Sequence, residues 1–393
     1  MDNRIDLQRP DAPDMAGYGA HAVGWRDWVV ETPPRPDLRA SGDGAEKMAP
    51  RRLRCAVWYP AQAGGVAGGG GAGGAYHCTL RDGRQKAWLQ GRAVADAPAT
   101  AGRFPLVILS HGWPGNRFLM AHLGETLASR GHVVVAPDHP GSTYEDRLAE
   151  VADFGITLLH RPWDQAFLIA AAAAAFPGLV EAGRAALVGY SMGGYGALIS
   201  AGAGLSDKGT GWPGGARGDL MARHAEGAAE AVPGLRAIVA IGPWGAQHGF
   251  WSDRALAAIR LPMLVIGGDG DDISGYEGGI RRVFEAATSC DRGLLTFRGA
   301  GHNAAAPIPA PAEAWARVPW LDFPPFEHYA DPVWDSVRMN NVAQHMIAAF
   351  LDQALRGADQ AARLAPFDGG HPAGFGVTGA PGLRLEWRGA GQA

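Results

Sequence analysis

A chain of 393 residues with 47% hydrophobic side chains can bury a large core, and α/β chains of this length often form one domain. The net charge of −4, with acidic and basic residues interspersed, excludes the field that nucleic acid would need and the basic helix that a membrane surface would need. Cys55, Cys78 and Cys290 are odd in number, far apart and without metal-type spacing, which argues against a disulfide framework, leaves one bridged pair as the alternative and suits a reducing cytosol.

The first residues carry no charged-then-apolar signal pattern. The longest apolar run, residues 166–176, is mostly alanine and far shorter than the roughly 20 residues that span a bilayer. A cytoplasmic protein with a single domain over residues 1–393 is expected. Residues 22–30 and 52–59 read as strands, with a Pro-rich charged segment between them. Residues 62–75 form a glycine tract that offers nothing to pack, and a flexible loop is expected there. It lacks the GxxxxGK[ST] pattern of a phosphate cradle.

From Phe104 the pattern becomes regular. Residues 104–110, 132–136, 185–188, 235–241, 261–266 and 293–297 are short, continuous apolar runs. Continuous rather than alternating apolarity marks strands buried on both faces, hence a parallel sheet. Between them, helical spacing predicts helices over 118–130, stopped by Gly131, over 162–176, starting at a proline, and over 192–203. A longer amphipathic helix is predicted over 332–355. The fold class is therefore α/β: an eight-stranded, mostly parallel sheet with helices on both faces.

In such sheets chemistry sits at the carboxyl ends of the strands. Gly189-Tyr190-Ser191-Met192-Gly193 is a GxSxG pentapeptide between a strand and a helix, a sharp turn that lifts the serine hydroxyl above the sheet. A serine hydroxyl needs a base to take its proton. The strand 261–266 runs into Asp269, Asp271 and Asp272, and the strand 293–297 runs into His302. One acid loop and one histidine thus follow Ser191 in the order Ser, Asp, His. Asp271 is the preferred acid, with Asp269 and Asp272 as alternatives. A calcium loop fails because Ile273 occupies a ligand position. An oxyanion hole is expected from the backbone N–H groups of Met192 and Trp113, the latter in the loop His111-Gly112-Trp113 after an early strand. His111 is read as organising that loop through backbone bonds.

These stretches resemble the α/β-hydrolase superfamily. Ala22-Val23-Gly24 with Val57-Trp58-Tyr59-Pro60, the run SHGWPGNR and the loop LVIGGDGDDISG are similar to the dienelactone-hydrolase-like and platelet-activating-factor-acetylhydrolase-like esterases. The elbow, the aromatic oxyanion residue and the acid loop also resemble bacterial cutinases and polyester hydrolases. The resemblance covers roughly residues 22–355. It implies Ser191 as nucleophile, Asp271 as acid, His302 as base, and Trp113 and Met192 as oxyanion donors. True dienelactone hydrolases use a cysteine nucleophile. Serine at 191 favours ordinary ester hydrolysis through an acyl-enzyme.

The expected substrate is a small or medium acyl or aryl ester. Polyester, lipid-ester, lactone, amide and carbon–carbon hydrolysis are alternatives, and a non-catalytic binding module is the reading from another class. No cofactor or metal is required, since no HExxH and no Cys/His cluster occurs. Trp244, past another strand end, and Tyr190 are assigned to the substrate pocket. The aromatic and Pro-rich segment 303–332 is either a packed surface excursion or a pocket wall beside His302. Asp138, His139 and Arg161 receive structural roles, and Asp164 is read as a capping or dipole-compensating group near a helix start. The sequence leaves the oligomeric state open.

Overall fold

A computed structural model describes residues 3–40, 47–63, 74–149 and 153–392. Most of the glycine tract, residues 64–73, lies outside the described residues. The main sheet has eleven strands: β1 Ala22–Glu31, β2 Arg52–Ala61, β3 Val94–Ala95, β4 Phe104–Ser110, β5 Val133–Asp138, β6 Val180–Tyr190, β7 Leu235–Ile241, β8 Met263–Gly268, β9 Arg292–Phe297, β10 Phe367–Asp368 and β11 Leu383–Arg388. Their order across the sheet is β10-β11-β9-β8-β7-β6-β4-β5-β2-β1-β3. The six central strands, β5 through β9 with β4, run parallel. β2 pairs antiparallel to β5 and to β1, and β11 pairs antiparallel to β9.

The continuous apolar runs have a simple cause. Along β4, Leu106 and Ile108 point into one core, while Val107 and Leu109 point into the other. Both faces are covered, so the strand is apolar up to Ser110 at its end. Ile108 lies opposite Leu187 of β6 and Val135 of β5, which fixes the register at the centre. Helices α1 Ala121–Ser129 and α4 Ser336–Arg356 cover one face, and α2 Phe154–Ala175 and α3 Met192–Ser200 cover the other.

Three features differ from the sequence expectation. The sheet has eleven strands rather than eight. β10 and β11 lie beyond the last expected helix, and in β11 Leu383 and Leu385 are buried while Arg384 and Glu386 are half-buried. A strand next to the sheet edge, with one face half-exposed, alternates, and its signal is weaker than a continuous run. Second, α2 starts eight residues before Pro162, so the proline is internal. Asp153 caps the helix by accepting from the Ile156 N–H at 2.9 Å. Pro162 lacks the N–H that would reach the Leu158 carbonyl, and the Tyr195 hydroxyl donates to that carbonyl instead at 3.0 Å. Third, residues 3–4, 75–79 and 86–90 form a separate three-stranded sheet. Tyr76 and Cys78 point inward from it, and Trp88 stands outside.

Candidate active site

Ser191 sits between β6 and α3 with φ 54° and ψ −112°, a strained backbone for a residue with a side chain. The turn needs bare neighbours. A Cβ on Gly189 would lie 2.2 Å from the Gly193 carbonyl oxygen, and one on Gly193 would lie 2.0 Å from the Ser110 oxygen. Only glycine fits at either place. The turn delivers the Ser191 hydroxyl to the rim of the sheet beside the loops that follow β8 and β9.

Those loops bring His302 and Asp271 to it. His302 Nε2 is 3.0 Å from Ser191 Oγ, and Nδ1 is 2.8 Å from Asp271 Oδ2. The other carboxylate oxygen of Asp271 accepts from the Ile273 N–H at 2.9 Å and the Ser274 N–H at 2.8 Å. Asp271 is fully bonded as an acceptor, so Nδ1 carries the proton and Nε2 is free to accept from the serine hydroxyl. Asp271 is buried and the His302 side chain is 15% exposed, which screens the Asp–His bond from water. The two alternative aspartates stand elsewhere. Asp269 accepts from the Gly299 N–H and ties the two loops together, while Asp272 is exposed at the edge of a cavity.

The Trp113 N–H is aimed by a buried network below it. The Gly112 carbonyl accepts from His111 Nδ1 at 2.7 Å and from Arg161 Nη2 at 3.3 Å. Arg161 also donates to the His111 carbonyl and the Ser142 hydroxyl. Across a planar trans peptide the N–H points opposite to the C=O. Pulling the Gly112 oxygen towards Arg161 therefore turns the Trp113 N–H away from it. Among the described residues, neither this N–H nor that of Met192 donates to another backbone oxygen. His111 Nε2 accepts from the His139 N–H at 3.2 Å, so its Nδ1 is the donor. Burial, with Arg161 and His139 close by, holds His111 well below the usual imidazole range, so it stays neutral. His111 thus organises the loop through backbone bonds, as the sequence suggests.

Asp164 is not a helix cap. It lies ten residues inside α2, fully buried, and its carboxylate meets Arg35 at 2.8 Å, Arg51 at 3.2 Å and His139 at 3.1 Å. Burial alone would raise this carboxyl; Arg51, His139 and Arg35 outweigh it and hold it well below the usual carboxylate range. His139 Nε2 in turn is 3.0 Å from the Ser110 hydroxyl at the end of β4. The expected start at Pro162 hid this network, because it put Arg161 and Asp164 at a helix end instead of on the buried face of a longer helix.

A cavity of about 820 Å³ opens over Ser191 and His302. Trp113 and Tyr190 form one side, and the Tyr190 hydroxyl donates to Asn303 Oδ1 at 3.0 Å. The segment 303–332 supplies another wall through Phe323, Phe326 and His328. Trp244 is not in the lining. Its indole packs edge-on to Phe154, itself edge-on to Trp113, while its backbone N–H donates to the Ser191 carbonyl at 3.3 Å. It backs the site without facing the cavity. Arg81, which sequence reasoning missed, lines the cavity from the small sheet. No local signal marks it, because it reaches the site through a fold-back of distant segments. Among the described residues no group of three His, Cys, Asp or Glu side chains is placed to hold a metal. Nor is any helix long and apolar enough to cross a membrane.

Fold and site together define a protein of the α/β-hydrolase fold. The family described as alpha/beta hydrolase fold matches residues 105–203, from β4 through α3. Cutinase 2 of Thermobifida cellulosilytica is 26% identical over 208 residues, 53% of this chain and 63% of that protein. The bis(hydroxyethyl) terephthalate hydrolase of Streptomyces coelicolor is 26% identical over 208 residues, 51% of each chain. The matched region thus spans between half and two thirds of the length of these curated relatives. Among solved structures, a ferulic acid esterase from Streptomyces cinnamoneus superposes with a TM-score of 0.60 at 19% identity, covering 91% of this chain and 94% of that one. The chain has the α/β-hydrolase fold and is similar, over about half of its length, to proteins named as cutinases.

Proposed function

We propose that this protein hydrolyses carboxylic esters, with Ser191 as nucleophile, His302 as base and Asp271 as the acid that orients it. The observation that carries the reading is the unbroken chain from Asp271 through His302 to Ser191 Oγ, with bonds of 2.8 and 3.0 Å. His302 takes the serine proton as Ser191 attacks the ester carbonyl. The N–H groups of Trp113 and Met192 stabilise the oxyanion, and the alcohol leaves with the proton from His302. Water, deprotonated by the same histidine, then releases the acid from the acyl-enzyme. The apolar and aromatic walls of the cavity favour acyl or aryl groups of small to medium size. The relatives named for cutin and terephthalate esters support the same bond type.

The test is a p-nitrophenyl ester series from acetate to palmitate with wild type and Ser191→Ala. Hydrolysis that disappears in the variant is the expected result, and the chain-length preference sizes the acyl pocket. Wild-type inactivity on every ester would move a non-catalytic role forward. A cytoplasmic location is likewise proposed; free, buried Cys55, Cys78 and Cys290 are in keeping with it. Recovery of the protein outside its source cells would contradict that location.

A further inference from the structure

Arg81, half-buried, lines the cavity that holds Ser191 and His302, and it lacks what the buried Arg161 and Arg292 and the half-buried Arg35 have. Arg161 and Arg292 spend their N–H groups on carbonyl and hydroxyl oxygens, and Arg35 meets Asp164. The Arg81 guanidinium lies over the Phe323 ring at 5.2 Å, and its Nε, like that of Arg161, is buried without a hydrogen-bond partner; among the described residues it has no carboxylate within ion-pair distance. Burial shifts it below the ordinary arginine range, nearby Arg147 adds to that shift, and Tyr144, Tyr329 and Asp82 offset only part of it. Holding a guanidinium partly dry and unpaired is costly, so such a group is a receptor for an anion the protein does not itself supply.

The position is built. The Arg81 N–H donates to the Tyr329 hydroxyl at 3.1 Å, Trp320 Nε1 donates to the Asp82 carbonyl at 3.0 Å, and Asn116 Nδ2 donates to the Thr79 carbonyl at 2.8 Å. The turn bearing Arg81 is thereby tied to the wall 303–332 and to the loop after β4. His328, which lines the same cavity, has its Nε2 buried without a partner. Burial holds this imidazole well below its usual range, so it is a neutral hydrogen-bonding group beside the cation. Asp272, Glu327 and Asp331 also line the cavity. Asp272 and Glu327 are exposed, and Asp331 is occupied by the N–H groups of Gly301, Val333 and Trp334. The negative groups thus sit at the exposed edge or are engaged by backbone, and Arg81 is the cationic part of the wall.

We propose that Arg81 is a carboxylate-binding subsite, and that the protein prefers acidic esters, whose acyl or alcohol part ends in a free carboxylate. This rests on the ester-hydrolase reading of the same cavity. A planar guanidinium pairs with a carboxylate through two parallel N–H···O bonds, which orients the ester as well as holding it.

The test compares matched pairs: mono-4-nitrophenyl glutarate against 4-nitrophenyl pentanoate for the acyl side, and 4-acetoxybenzoate against phenyl acetate for the alcohol side. In at least one pair, wild type is expected to favour the acid by roughly tenfold or more in kcat/KM. Arg81→Gln is expected to erase that preference and Arg81→Lys to restore part of it. Titration of wild type with glutarate and with glutaramide, read by tryptophan fluorescence, requires no turnover and no variant. Saturable binding of glutarate alone is expected. Hydrolysis of neutral esters with no preference in either pair and no glutarate binding would overturn the subsite and leave the esterase reading standing. Glutarate binding without hydrolysis of any ester would do the reverse.

Discussion

The rim of the central sheet and the wall of the cavity above it are built in opposite ways. At the rim, each group sits within a few residues of a strand end, and local sequence dictates its place. Gly189 and Gly193 are bare because backbone atoms pass where a Cβ would stand, and the serine between them is forced outward. In the wall, Arg81 is held by Tyr329, 248 residues away, and Trp320 reaches back 238 residues to Asp82. On the proposed reading the rim sets the reaction and the wall sets its substrate, and the two are expected to respond to different perturbations.

The largest effect is expected at the rim. Asp271→Asn keeps the shape but removes the charge that fixes the His302 tautomer, so kcat falls by about 10³–10⁴-fold with KM little changed. A loss below about tenfold in steady-state assays would mean that another acid orients His302. One layer down, Arg161→Met frees the Gly112 carbonyl and lets the Trp113 N–H turn. A drop in kcat of about 10²-fold is expected, with Arg161→Lys recovering part of it. Equal losses in both variants, tracking their thermal midpoints, would reduce Arg161 to a structural role.

The wall offers a smaller, pH-dependent effect. His122 in α1 is buried and bonds the Ala306 carbonyl at 2.9 Å, pinning the start of the wall. Burial lowers it to about 4, with that carbonyl bond offsetting part of the shift. The unfolded chain takes up this proton near pH 6.5 and the folded chain only near 4. Stability is therefore whole above about 6.5 and is lost as pH falls from there towards 4. At pH 5 this one histidine accounts for about 2 kcal/mol. Urea unfolding at pH 7 and pH 5 should show that loss shrinking in His122→Gln. An equal loss in the variant would assign the acid sensitivity to other groups.

The same contrast explains what the sequence made legible. The six parallel strands stand out because burial on both faces makes their sequences uniformly apolar, and the strand–turn–helix setting of Gly189–Gly193 singles out Ser191. Asp271 is the preferred acid from the sequence, and three dimensions supply the reason: Asp271 bonds His302 while Asp269 serves Gly299. Pro162 misled because proline normally opens a helix; here Tyr195 satisfies the carbonyl it releases. Arg81 and the strands β10 and β11 were illegible because their meaning depends on partners far along the chain.

The central claim is that Ser191 is an activated nucleophile, and the most direct measurement is intact-protein mass spectrometry after exposure to a fluorophosphonate. The account predicts one adduct per chain, mapped to Ser191, absent in Ser191→Ala and formed much more slowly in Asp271→Asn. No adduct on folded wild type, or one mapped to another residue, would contradict it.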